Sequence, residues 1–151
     1  MVGNKKIILN STAVVLNDEF NRILLQKRSD NGLWGLPGGL LEMDETIEEG
    51  AIREVYEETN LKIKITRFIG VFINRNMVWH NKDKAMIYAF GFVGVIIGGE
   101  LKINDEESLE LKYFKKEDLP LIHSADNKQI IEAYYQNRFN LVEGKYYDGF
   151  K

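Results

Sequence analysis

The sequence predicts an α/β domain in which helices cover both faces of a mixed β-sheet, and three observations carry that expectation. Stretches rich in β-branched and aromatic residues recur along the chain. Two other stretches carry apolar residues at helical spacing. The strand-type stretches lie before, between and after those two, the order expected of a layered sheet rather than of segregated all-α and all-β units. With 151 residues, 44% of them hydrophobic, the chain can bury one good core and is too short to expect two, so residues 1–151 are read as one domain.

In chain order, Lys6–Leu16 is rich in Ile, Val and Thr, and residues 22–27 are apolar at their centre. The turn formers of residues 17–21 between them predict a hairpin. Residues 28–32 and the glycines at 35, 38 and 39, which bracket Pro37, predict a loop that presents backbone rather than side chains. Thr46 with Glu49 forms a capping box, opening a helix to about Thr59 whose apolar side is Ile47, Ala51, Ile52 and Val55. Gly50 inside that helix costs about 1 kcal/mol relative to alanine, which points to close packing or a ligand nearby. Residues 61–73 and 85–97 read as long strands, 100–103 and 109–114 as shorter ones, and 126–135, with Ile130, Ile131 and Tyr134, as a second helix. No repeats or low-complexity linkers interrupt the pattern.

Composition narrows the function. A net charge of −3 provides no basic field for a nucleic-acid backbone, which argues against polymeric DNA or RNA as a partner. The absence of cysteine removes disulfides, thiolate metal sites and thiol nucleophiles, leaving oxygen and nitrogen chemistry. The first residues show no apolar stretch with a small-residue cleavage site, and the longest uncharged run, residues 85–99, is too short for a membrane span. The expectation is a cytoplasmic protein with no membrane partner.

The informative cluster is acidic. At about 100° per residue, Glu54, Glu57 and Glu58 share a face within one helical turn. Like charges so spaced cost a helix roughly 0.2–0.5 kcal/mol per pair, so folding does not ask for them. A hard divalent cation does, because it prefers oxygen ligands and keeps waters while bound to phosphates. Arg53 has Glu49 and Glu57 four residues away on either side, within reach of a guanidinium bridge that would fix one ligand. Arg28 and Lys27 are candidates for phosphate contact, and Trp34, Trp79 and Phe72 for stacking on a base, against the plainer alternatives of a solvated strand end and core packing. His80 and His123 are too few for a histidine metal centre and read as surface residues. The glycine-rich loop lacks the Gly-Lys-Ser/Thr ending of a P-loop. Residues 74–84, with Arg75, Trp79 and His80, read as a long connection of the kind that contacts ligand.

The segment Gly39-Leu40-Leu41-Glu42-Met43-Asp44-Glu45, followed after seven residues by Arg53-Glu54-Val55-Tyr56-Glu57-Glu58-Thr59-Asn60-Leu61, resembles the Nudix box of the Nudix hydrolases. Asn60 stands where that family has glycine, a mild departure because asparagine tolerates the positive φ of a helix end. The run from Leu24 to Arg28 with Leu33 to Gly38, and more weakly residues 106–120, are similar to segments flanking the box in that family. The resemblance implies an α/β/α sandwich with a mixed β-sheet. It implies Mg²⁺ or Mn²⁺ held by Glu54, Glu57, Glu58 and the Gly38 carbonyl, with Glu45 and Arg53 orienting the site. The general base is Glu54, Glu106 or Glu107, with Glu54 favoured. The implied activity is metal-dependent hydrolysis, by water, of the pyrophosphate linkage of a nucleoside diphosphate joined to another moiety, with homodimers common. Two alternatives stand beside it: a catalytically silent nucleotide sensor of the same fold, and a structural domain whose acidic helix is merely solvated.

Overall fold

The computed structural model describes residues 6–78, 84–143 and 145–146. Strands β1 (Lys6–Leu16), β2 (Ile23–Arg28) and β3 (Trp34–Gly35) precede helix α1 (Ile47–Thr59). Strands β4 (Leu61–Val78), β5 (Lys84–Gly99) and β6 (Ser108–Phe114) lie between it and helix α2 (Ala125–Tyr135). Short strands β7 (Leu141–Val142) and β8 (Lys145–Tyr146) follow. A five-stranded mixed sheet has the order β1-β5-β4-β7-β8, with β1 parallel to β5, β4 antiparallel to β5, and β7 parallel to β4. A three-stranded sheet has the order β3-β2-β6.

Period-two alternation divides the apolar side chains between two layers. Val14, Leu16 and Leu24 pack with Ala51 and Val55 of α1 in one cluster. Ala13, Val15, Ile23 and Leu25 pack with Ile130, Ile131 and Ala133 of α2 in the other. The same short stretches of β1 and β2 therefore supply both cores, which is why they are apolar at consecutive positions rather than at alternate ones. Fully burying each such side chain contributes roughly 1.5–3 kcal/mol. Phe72, at 2% exposure, belongs to the α2-side core and is not a stacking platform. Among the described residues no helix is long and apolar enough to cross a membrane.

Helix α1 starts as its capping box dictates: the Thr46 side chain accepts from Glu49 N–H at 3.1 Å, and Glu49 Oε1 accepts from Thr46 N–H at 2.8 Å. Its end is set by Asn60 at φ 63°, whose N–H donates to the Tyr56 carbonyl at 2.9 Å. Gly50 is explained by packing, since a Cβ there would press on Leu41 and lie 2.9 Å from Glu45 Oε1.

The structure departs from the sequence expectation in three places. The hairpin of β1 and β2 is reduced to its turn, with an Asn17–Ile23 bridge and an Asp18 N–H to Arg22 carbonyl bond of 2.9 Å. Both edges of β1 are already taken: β5 runs along one, and Thr12 N–H to Gly39, Val14 N–H to Pro37 and Leu41 N–H to Asn10 occupy the other. The chain therefore crosses to the second sheet, where β2 pairs with β6 and β3. Residues 100–103 form no strand. They serve the C-terminus of α1, whose last carbonyls have no helical donors: Lys102 N–H donates to Thr59 at 3.1 Å, and Asn60 Nδ2 donates to the Glu100 carbonyl at 3.0 Å. The connection expected at 74–84 is shortened from both ends, because β4 runs on to Val78 and β5 starts at Lys84. Trp79 and His80 lie outside the described residues.

Asn60 provides a test of the helix end. A left-handed conformation costs a side chain without local hydrogen bonding about 1–2 kcal/mol, so Asn60→Ala is expected to lower unfolding stability by that amount in urea titrations. Asn60→Gly should stay within roughly 0.5 kcal/mol of the parent. Equal losses in both variants would show that the Glu100 bond, rather than the backbone conformation, is what matters.

Candidate functional site

Helix α1 delivers its acidic face to the loop of residues 36–39. Glu58 is 1% exposed, and its Oε2 has no hydrogen-bond partner among the described residues. Burial, and then the charge of the neighbouring Glu54, push the Glu58 carboxyl well above the usual carboxylate range. The Gly38 backbone N–H facing it works the other way. Burial also raises Glu54, against the pull of Arg53. Glycine makes this proximity possible. A Cβ at Gly39 would sit 2.6 Å from Glu54 Oε2, and one at Gly38, whose φ is 148°, would collide with the Thr12 carbonyl.

Arg53 ties the rim together. Its Nη2 and Nε donate to the two oxygens of Glu45 at 2.7 and 2.9 Å, its Nη1 to Glu54 at 3.0 Å and to Glu57 at 3.2 Å, and its Nη2 also to the Leu40 carbonyl at 3.1 Å. Hydrogen bonding to Arg53 holds the Glu45 carboxyl down to about 2, helped by the Glu42 N–H. The bridge therefore runs from Glu45 to Glu57. Glu49, the other partner expected for Arg53, is committed to the capping box. Glu57 is half exposed and touches the site through Arg53. Among the described residues no three acidic or histidine side chains are grouped at metal-binding distance. The close pair is Glu54 with Glu58.

A cavity of about 910 Å³ opens beside this pair. Glu54, Glu58, Gly38 and Gly39 line one part of it, and Arg28 another. Arg28 donates to Asp30 through Nε at 3.1 Å and Nη2 at 2.8 Å, which raises its pKa further. Glu107 lines the rim and is exposed, whereas Glu106 and Lys27 do not line the cavity. Trp34 does not line it either; its ring stands edge-on to Phe114, centroids 4.9 Å apart, against the α2-side core.

Sequence reasoning missed several cavity residues. His123, expected at the surface, is half-buried on the wall, and that burial lowers its pKa, as does Arg28. Asp126 and Asn127, each 6% exposed, and Asn74 form a polar wall: Asn74 Nδ2 donates to Asp126 at 3.3 Å and Asn127 Nδ2 donates to it at 3.0 Å. Buried polar residues in the first turn of a helix whose other face is core were the available signal, and only the fold shows what they meet.

The donor set fits a hard cation. A buried carboxylate, Glu58, stands against the partly buried Glu54, one Glu58 oxygen is unpartnered among the described residues, and a glycine backbone adjoins them. Such a group is costly as an anion pair and is relieved by a proton or by a divalent ion.

The comparisons agree with this geometry. The family model described as NUDIX domain matches residues 8–134. The chain is similar to the ADP-ribose pyrophosphatase of Methanocaldococcus jannaschii, 36% identical over 117 residues that cover 76% of this chain and 66% of that protein. It is also similar to a MutT-like protein of Streptomyces ambofaciens, 48% identical over 64 residues, 42% of either chain. It thus spans two thirds or less of the length of these relatives. In fold it is similar to the crystal structure of MutT protein from Methanosarcina mazei Go1, with a TM-score of 0.73 at 23% identity, covering 87% of this chain and 96% of that one. It is likewise similar to that of UDP-X diphosphatase, with a TM-score of 0.72 at 22% identity, covering 89% and 66%. A family match across most of the chain, over a fold and an acidic helix of this kind, establishes that the chain belongs to the Nudix hydrolase family.

Proposed function

We propose that this protein is a Mg²⁺- or Mn²⁺-dependent hydrolase that cleaves the pyrophosphate linkage of a nucleoside diphosphate joined to another group, by attack of water at phosphorus. The observation that carries the reading is the buried Glu58 beside the partly buried Glu54, with Glu58 Oε2 unpartnered among the described residues, at the wall of a cavity large enough for a nucleotide derivative. The names of the relatives, an ADP-ribose pyrophosphatase and a UDP-X diphosphatase, support a substrate of that class. The net charge of −3 favours a small-molecule substrate over a nucleic-acid polymer, and we place the protein in the cytoplasm.

Glu54, Glu57, Glu58 and the Gly38 carbonyl would hold the ion. A bound divalent cation supplies charge compensation for the phosphoryl oxygens and a water of lowered pKa. Arg53 holds Glu54 at the cavity wall and ties Glu57 to it from outside, and Glu45 fixes Arg53. Arg28 receives a phosphate oxygen, exchanging part of its bond to Asp30. Glu54 takes the proton of the attacking water, with Glu107 at the rim as the second candidate.

The direct test is incubation with Mg²⁺ and a panel of nucleotide sugars, ADP-ribose, dinucleoside polyphosphates and nucleoside triphosphates in ¹⁸O-labelled water. The expected result is a phosphate product carrying the label on one phosphorus; a panel returned intact rejects the proposal. Glu58→Gln is expected to lower kcat by about 10²–10³-fold, as loss of a preorganised charge-stabilising group does. Turnover equal to the parent's would remove Glu58 from the site.

The raised carboxyls also set a pH dependence. Groups whose pKa is higher folded than unfolded stabilise the fold below the ordinary glutamate value of 4.5, and that contribution is lost as pH rises through the elevated folded values. Metal-free protein should therefore melt at progressively lower temperature as pH climbs above 4.5 toward the elevated folded values, and Mn²⁺ should restore the lost stability. The Glu45–Arg53 pair has the opposite sign: its contribution is present above 4.5 and lost as pH falls through about 2. Melting curves with and without Mn²⁺ from pH 5 to pH 9 check the first effect; a metal-free melting temperature that rises across that range would contradict it.

A further inference from the structure

The first turn of α2 reaches the loop that carries Gly38. Asn127, 6% exposed, accepts at Oδ1 from the N–H of Leu36 at 2.8 Å across 91 residues of sequence. The loop's other side is fixed by β1, where the Pro37 carbonyl accepts from Val14 N–H at 2.9 Å and the Gly39 carbonyl from Thr12 N–H at 2.8 Å. Pro37 has no N–H, so the Leu36 amide is the last donor before Gly38. The Gly38 amide itself faces Glu58. Packing reinforces the contact, since a Cβ at Gly35 would lie 3.2 Å from Asn127 Oδ1 and against the ring of His123.

We infer that Asn127 is a positioning residue for the metal-bearing loop: its amide oxygen sets the Gly35–Leu36 peptide, two residues before Gly38, and so presents the Gly38 backbone to Glu58 and to the ion. The inference rests on the metal site proposed above and goes beyond it by assigning a residue remote from the box. The same side chain donates through Nδ2 to Asp126 at 3.0 Å, so the loop that meets the ion and the polar wall of the cavity share one support. Outer partners of this kind alter metal affinity or activity by about 10–100-fold when removed.

Two variants separate the bonds. Asn127→Leu can neither accept nor donate, whereas Asn127→Asp keeps an acceptor for Leu36 N–H and loses the donor to Asp126. The Asp126 contact is absent from both, and the carboxylate that Asn127→Asp sets beside Asp126 can only add damage, so a leucine variant weaker than the aspartate one reports the Leu36 bond. Binding of Mn²⁺ alone, followed by the loss of its free-ion electron paramagnetic resonance signal, is the readout. The expected result is an affinity about 10–100-fold weaker in Asn127→Leu and within about threefold of the parent in Asn127→Asp. Parent-like Mn²⁺ binding by the leucine variant, or equal damage in both, overturns the inference while leaving the proposed function standing. A parent that binds no Mn²⁺ overturns the metal reading and this inference with it. Should the leucine variant not fold, the aspartate variant decides alone: retained affinity supports the role, and a tenfold loss overturns it.

Discussion

The organising constraint in this protein is that two carboxylates one helical turn apart are forced together in a buried place. Burial raises both carboxyls, and of the two only Glu54 has the charge of Arg53 against it, which leaves Glu58 uncompensated. Much of the surrounding architecture is understandable as the means of holding that arrangement. Gly39 removes the Cβ that would meet Glu54, and Gly38 lets the loop run against β1. Both ends of α1 are fastened, by the Thr46–Glu49 box and by Asn60, so the register of the acidic face cannot drift relative to the loop.

Arg53 shows how an unfavourable charge cluster is contained without being cancelled. Its guanidinium satisfies Glu45 with two hydrogen bonds and gives one each to Glu54 and Glu57, leaving Glu58 outside its reach. The consequence is a gradient of character around Arg53: Glu45 held strongly acidic, Glu57 half exposed, and Glu58 buried with its carboxyl raised well above the usual range. A simple solvated acidic surface has no reason to bury one of its members at 1% exposure.

Local signals were readable in advance. The capping box, the positive φ at Asn60, the two helices and the long strands all follow from side chains acting on backbone a few residues away. The box resemblance extended that reading to the acidic site. What could not be read was competition for partners over long sequence distances. The residues around Asn17–Asn21 form the turn they promise, yet β2 leaves because the loop of residues 37–41 already occupies the edge of β1. Residues 100–103 look like a strand, but the Thr59 carbonyl and the Asn60 side-chain amide at the end of α1 claim them. His123, Asp126 and Asn127 gain their meaning only because α2 sets them against Gly35 and Leu36, some 90 residues earlier, a contact with no periodicity to reveal it.

If the Glu54–Glu58 pair exists to grip a cation, then the burial that raises both carboxyls favours a proton in the ion's absence, and the ion displaces it. Calorimetric titration of the metal-free protein with Mn²⁺ at neutral pH, repeated in buffers of different ionisation enthalpy, counts that proton. Binding is expected to saturate with release of about one proton per ion, the release shrinking as pH rises past the elevated carboxyl values. Absence of binding, or binding with no proton released at any pH, would contradict it.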